Sequence, residues 1–524
     1  MRPVVAAARG SRQPQSADRL RHSCDARRMP RRRPAALLAL ALSAVPAAGV
    51  GWSCGVTDSG QATCFASSCQ QLVGAIATGI AHITLTADLT PGTDATFAAC
   101  AAAYPIRVAR PLTLQGACGA ARCALHGGAT VARTGSSSCL RGCVQCAGGG
   151  QSIFAVKAGG SLALDSVQLS GACNPAGNGG AISLAGGHDD ATVPAGRRAL
   201  HNLRHAPPPP PPPSFAPADV ARLTAINCRF SNNAAMGGGG SGNGLWNGHG
   251  GAVAMLNVQT AASFSDCQFE ANYAWGSESA SSYAGNWGDG GAVYIGGGRA
   301  TFALCSFAGC EAERSGGAVA AVDGAVVDFS SCIFDACAAA DDYFDGGGAV
   351  FVAGAATAAS FELCRFQNCA VRQYPDPRRQ SLTCGGGAAS VVTGASASFS
   401  YSVFSGNTAP RGGAVCVHDA TAAFNSPVLA AGNTAGRAWF GTPGAAVECV
   451  MCGARAVPTA DCVLLRDAAA VARERGGSPV CRPLPDSPAA AALREWWLAQ
   501  AAIDDAASVP AASVTERRGF FGSW

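Results

Sequence analysis

A phrase of Gly-Gly-Ala-Val followed by alternating apolar residues returns along the middle of the chain, each time answered by Phe-x-x-(Asn or Cys), with Cys usually two residues before the Phe. The first Gly falls at Gly250, Gly290, Gly316, Gly347, Gly386 and Gly412, at irregular spacings of 40, 26, 31, 39 and 26 residues. From the first five of these to the answering Phe269, Phe307, Phe334, Phe366 and Phe404 the distances are 19, 17, 18, 19 and 18. Nearly all the length variation therefore sits after the Phe. A fixed half and a variable half that recur together describe a solenoid whose coil repeats one packed unit and admits insertions at one corner.

Within a coil the apolar period is two, as in Ala292-Val293-Tyr294-Ile295 or Val350-Phe351-Val352, which is a strand pattern. A second strand follows, such as Thr301-Phe302-Ala303-Leu304 or Ser360-Phe361-Glu362-Leu363. After it the parity shifts, because Phe361 and Leu363 are odd while Cys364 and Phe366 are even, and a bend is expected there. About three short strands per coil, stacked at the ~4.8 Å strand spacing, make an all-β parallel β-helix. Stacking turns aligned residues into columns. Phe230, Phe269, Phe307, Phe334, Phe366 and Phe404 are expected to form an interior aromatic ladder, with the paired Gly at a turn needing positive φ or an absent Cβ. Three residues past each Phe the column reads Asn233, Asn272, Cys310, Cys337, Cys369 and Asn407, and Asn there can bond backbone groups along the stack.

The repeated Gly290-Gly291-Ala292-Val293 and Phe269-Glu270-Ala271-Asn272 resemble the GGA(I/L/V) and FxxN repeats of polymorphic outer membrane protein passenger domains, which are right-handed parallel β-helices. The resemblance covers roughly residues 179 to 450, beginning at Gly179-Gly180-Ala181-Ile182, and speaks to fold more than to activity. That family ends in a membrane β-barrel of several hundred residues, whereas fewer than 80 residues follow Gly444-Ala445-Ala446-Val447. Self-secretion through such a barrel is not expected.

Of the net charge of +4, residues 1–48 carry +8 through ten Arg against Asp18 and Asp25, so the body is net −4 and shows no nucleic-acid footprint. Arg31-Arg32-Arg33 followed by the apolar run Ala35 to Ala48 reads as a secretory signal, with Val45-Pro46-Ala47 a candidate cleavage site and Met29 a candidate true start. A membrane anchor is the other reading, but the run is short for a ~20-residue span and contains Pro46. No second apolar span follows, so no transmembrane segment is expected in the mature chain, which is placed outside the cell or on its surface.

Without Cys24, 24 of the 25 cysteines remain, an even number that favours disulfides in a secreted chain. Cys228, Cys267, Cys305, Cys332 and Cys364 share one column and Cys310, Cys337 and Cys369 another, at a spacing that permits bridges between coils. Equally, these thiols can be small, unbonded core residues. Cys143-x-x-Cys146 and Cys449-x-x-Cys452 each supply one pair of zinc-type ligands without a second pair, and no cofactor is expected.

Residues 49–178 read as a Cys-rich cap and degenerate first coils, in which a short helix over Gln70 to Ala77 plugs the open core. Residues 179–450 are the repeats, interrupted at 185–222 by an insert with seven consecutive prolines, Pro207 to Pro213, which must loop out. That insert could be a proline-domain ligand, a linker or an unspliced intron. Residues 451–524 form a C-terminal cap in which Ser487-Pro488 starts a helix with Leu493, Trp496, Trp497 and Ala501 on one face, covering the last coil or meeting a partner.

Coil insertions after the Phe motif must emerge from one edge, and they hold Trp246, Tyr273, Trp275, Tyr283, Trp287, Tyr343, Tyr374 and Trp439. Flat rings beside Gly, Ser and Asn suit stacking on sugars or gripping a protein; alternatively they pack loop against loop. Acids accompany them, at Glu278, Asp289, Glu311, Glu313, Asp341, Asp342, Asp345 and Asp376. A facing pair could work as general acid and base on a glycosidic bond, and Asp341, Asp342 and Asp345 are candidate calcium ligands. Gly187-His188-Asp189-Asp190 and Gly248-His249-Gly250 resemble polygalacturonase signatures, but that family also carries Asn-x-Asp upstream and Arg-x-Lys downstream, and the only lysine, Lys157, precedes both. A loop residue before the turn is the plain reading of His249.

The expected function is extracellular binding or adhesion, to glycans or proteins, through the insertion edge. A polysaccharide lyase or hydrolase on the same edge is the alternative, and a structural matrix role comes third.

Overall fold

The computed structural model describes residues 53–56, 62–119, 121–134, 143–147, 150–175, 177–185, 219–237, 248–276, 288–339, 346–372, 385–409, 412–418, 420–425, 429–431, 433–435, 447–450 and 457–458. They form the parallel β-helix, with four strands in a full coil, one more than the alternation predicts. The coil that starts at Gly290-Gly291 shows the order: a first strand Val293–Gly296, a second Arg299–Ala303, a third Ser306–Ala308 and a fourth of two residues, Glu311–Ala312. So short a strand has no readable alternation, which hides it in the sequence. Like strands stack into four sheets of ten, thirteen, nine and eight strands among the described residues, parallel except where Cys54–Val56 and Ala62–Ala66 pair antiparallel at the N-terminal edge.

The expected phenylalanine column exists. Phe230, Phe269, Phe307, Phe334, Phe366 and Phe404 stand opposite one another on successive third strands, their rings stacked at 4.7–4.9 Å. A second ladder, which the sequence reading did not assemble, runs beside it on the second strands: Phe264, Phe302, Phe329, Phe361 and Phe399 stack at 4.8 Å. The ladders meet edge to face, as between Phe329 and Phe334 at 5.5 Å and 68°, the geometry that sets a ring's positive edge on its neighbour's negative face. All these rings are buried, so two continuous aromatic seams form the core.

The parity shift between second and third strands is one residue in the left-handed region, for example Asp266 at φ 52°, Leu304 at 57° and Leu363 at 56°. A second such residue, Ala271, Gly309, Ala336 or Asn368, separates the third strand from the fourth. At the Gly-Gly corner Gly290 has φ +67°, and a Cβ on Gly291 would lie 2.0 Å from the Gly317 carbonyl oxygen of the next coil. Any side chain there would wedge the coils apart, so glycine is the residue the stack requires.

A helix stands where one was expected over Gln70 to Ala77. Helix α1, Cys69–Ala77, buries Leu72 and Ala75 over the end of the core, and the Ser68 side chain accepts from the Gln71 N–H. A second helix, α2, Phe97–Ala103, packs beside it and was not foreseen. Disulfides join Cys54 to Cys64, Cys69 to Cys100, Cys118 to Cys123 and Cys146 to Cys173. Cys146 is thus no zinc ligand. Of the two readings of the cysteine columns the unbonded one holds: Cys228, Cys267, Cys305, Cys310, Cys332, Cys337, Cys364 and Cys369 are free and buried.

The interruption expected at 185–222 ends earlier, because Ala221 and Arg222 already belong to the strand Ala221–Ile226, paired with Ser161–Asp165. It also leaves from another corner, between the first strand Ile182–Leu184 and that second strand. Leader residues 1–48, the prolines at 207–213 and the C-terminal helix expected after Ser487 lie outside the described residues. Among the described residues no helix is long and apolar enough to cross a membrane.

Candidate functional site

Every regular coil closes by running from its fourth strand to the next Gly-Gly turn. Segments 238–247, 277–287, 340–345 and 373–384, outside the described residues, all span this one connection. Their roots form two adjacent columns: Met236, Trp275, Glu313 and Arg372, each one place past the column of Ala274, Ala312, Ala339 and Val371, on the departing side, and His249, Asp289, Ser315, Gly346 and Gly385, each immediately before a first Gly, on the returning side. Between Ala312 and Gly316 the same corner is closed without an insert, by Glu313, Arg314 and Ser315.

Of the ring residues expected on this edge, Trp246, Tyr283, Trp287, Tyr343, Tyr374 and Trp439 fall outside the described residues, as do Asp341, Asp342 and Asp345. Tyr273 and Trp275 belong to the fourth strand Tyr273–Trp275. Tyr273 is half-buried, but Trp275 is only 3 % exposed, packed with Ala129, Cys173 and Ala234. The expectation that Trp275 is an open ring is therefore corrected. It stands three residues past the Asn272 column, inside the hidden fourth strand rather than in a loop.

The acids of the corner are engaged. Asp289, fully buried, is gripped by the Arg314 guanidinium, Nε donating to Oδ1 at 2.7 Å and Nη2 to Oδ2. Glu311 accepts from Arg372, two coils further on. Glu313 accepts from the Gly276 N–H, tying the root of one coil to the next. In a guanidinium fork both carboxylate oxygens are already engaged, and removing either partner leaves the other buried and uncompensated. Among the described residues no group of three or more His, Cys, Asp or Glu is placed to hold a metal ion.

Sequence reasoning named His249 and Asp289 separately and missed that they are neighbours. Both stand immediately before a first Gly, and the third residue in that position is Ser315, bridged to Asp289. His249 is 2 % exposed, stacked on the Tyr294 ring at 4.4 Å, with Nδ1 3.2 Å from the Asp289 N–H and 3.6 Å from its Oδ2. The signal available beforehand was the column itself, which places polar side chains ahead of the glycines on consecutive coils. No family model matches the chain, and neither the curated proteins nor the solved structures compared with it give a match.

Proposed function

We propose that this chain is an extracellular recognition scaffold that binds glycans or proteins through the insertion edge, in the manner its repeats suggest for passenger-like β-helices. One observation carries the reading: apart from the interruption between Leu184 and Ala221, coil length in the repeats varies mainly at a single corner while all four sheets stay in register. A rigid stack that varies at one corner presents variable segments on a fixed frame, the arrangement by which loops carry specificity on an invariant scaffold. Disulfides in the cap fit an oxidising compartment.

Engagement of Asp289, Glu311 and Glu313 in structural pairs favours binding over the hydrolase or lyase alternative. The test is a glycan array, read beside an assay for new reducing or unsaturated ends. Binding without turnover is expected. Each stacked ring contributes about 1 kcal/mol, so combined Trp246→Ala, Tyr283→Ala and Trp287→Ala should weaken binding roughly a hundredfold with the melting temperature unchanged. Unchanged affinity with a lowered melting temperature would show the rings to be packing elements. Steady release of new chain ends would instead establish catalysis.

A further inference from the structure

His249 sits where four coils are stitched together at the insertion corner. Its backbone N–H donates to Asn178 Oδ1 at 3.0 Å and its carbonyl accepts from the Gly179 N–H at 2.8 Å, which ties it to the coil before. On the other side the Asp289 N–H donates to His249 Nδ1 at 3.2 Å, and the Gly250 N–H donates to the Asp289 carbonyl at 2.9 Å. Arg314, in the coil after, grips the Asp289 carboxylate, and its own N–H donates to the Gly288 carbonyl at 3.0 Å. A ring nitrogen that accepts an N–H bond carries no proton, so this geometry selects the neutral imidazole with hydrogen on Nε2.

We propose that His249 is an acid-sensitive latch: its neutral ring pins the Gly248–Gly250 and Gly288–Gly290 turns together, and protonation releases them. Protonated Nδ1 becomes a donor and loses the Asp289 N–H. It also adds a positive charge to a corner 2 % exposed at His249, where the Asp289 charge is already matched by Arg314. The described groups that face the ring and carry or can gain charge are Asp289 and the Tyr294 phenol, with Arg314 behind Asp289. The competing outcome, in which protonated His249 turns to Asp289 Oδ2 at 3.6 Å, puts two cations on one carboxylate. Because the folded state favours the neutral ring, the stability it contributes is present above the ordinary histidine range and is lost as pH falls through it. The latch sits at the roots of the proposed recognition edge but does not depend on what that edge binds.

The test is hydrogen exchange of the full chain at the Gly250 and Asp289 amides, corrected for intrinsic rates, at about pH 7.5 and about pH 5. Protection should fall by about tenfold or more at the lower pH in the wild type and stay level in His249→Gln, which cannot titrate. Equal protection at both values, or the same fall in His249→Gln, overturns the latch. Should that variant fail to fold, nitrogen spectra of ¹⁵N-histidine-labelled wild type decide. An unprotonated, hydrogen-bonded Nδ1 at about pH 7.5 supports the latch, and a protonated one refutes it.

Discussion

The Cys369 thiol donates to the Phe334 carbonyl of the preceding coil, Sγ to O 3.5 Å. The same column does so at every coil: Asn272 to Phe230, Cys310 to Phe269, Cys337 to Phe307, Asn407 to Phe366 and Asn433 to Phe404. The neighbouring column repeats the device on the second ladder, with Cys305 to Phe264, Cys332 to Phe302, Cys364 to Phe329 and Ser402 to Phe361. In both columns a phenylalanine carbonyl accepts from the side chain that follows a left-handed bend on the next coil. Cysteine here is a small donor, interchangeable in role with Asn or Ser.

Cys369→Ala should accordingly cost about 0.5–1.5 kcal/mol, because it removes a buried hydrogen bond to the Phe334 carbonyl, whereas Cys369→Asn should cost less. Urea denaturation of the two variants checks this. Equal losses would mean the thiol matters only for its volume.

Phe334→Ala removes a ring that stacks on Phe307 and Phe366 in one ladder and meets Phe329 of the other edge-on. A loss of about 3–5 kcal/mol is expected from the cavity, read from denaturation midpoints. Trp275→Ala should also lower stability rather than act on binding alone, since the ring is buried. Affinity lost at unchanged stability would return Trp275 to the recognition edge.

Burial pushes the Cys310 and Cys337 thiols well above the ordinary range. The folded state therefore holds protons that the unfolded chain releases above about pH 8.5, so the stability these thiols contribute is full below that value and declines as pH rises past it. Alkylation at about pH 9 should leave both unmodified in the native protein and modify them after denaturation. Rapid native modification would show that the columns open.

Arg314→Ala should cost about 3–5 kcal/mol by leaving the buried Asp289 carboxylate unpaired, while the joint replacement Asp289→Asn with Arg314→Met should cost less than the single change. A double-mutant cycle in thermal unfolding measures the difference, and additive losses would show no coupling.

Peptide mapping of the folded protein should recover the pairs Cys54–Cys64, Cys69–Cys100, Cys118–Cys123 and Cys146–Cys173. Free thiols at these positions would contradict the stapled cap.

Phe307, Asn272 and Gly291 were legible from sequence because a stacked coil of near-constant Gly-to-Phe length puts equivalent residues at equivalent places, and only small, aromatic or donor side chains suit each place. The apolar alternation set the strands, and the position of the length changes set the corner. Tertiary structure alone decided the rest. The fourth strand, two or three residues long, is invisible to periodicity, and with it the burial of Trp275. The state of the thiols depends on what each Sγ meets across the stack, where each donates to a carbonyl of the coil before and forms no disulfide with its neighbouring thiol, which column membership does not specify. His249, Asp289 and Arg314 lie 40 and 25 residues apart, separations that differ because the first spans an insert and the second does not. They become neighbours only because each coil returns to the same corner, where one strand spacing replaces the whole length of chain between them.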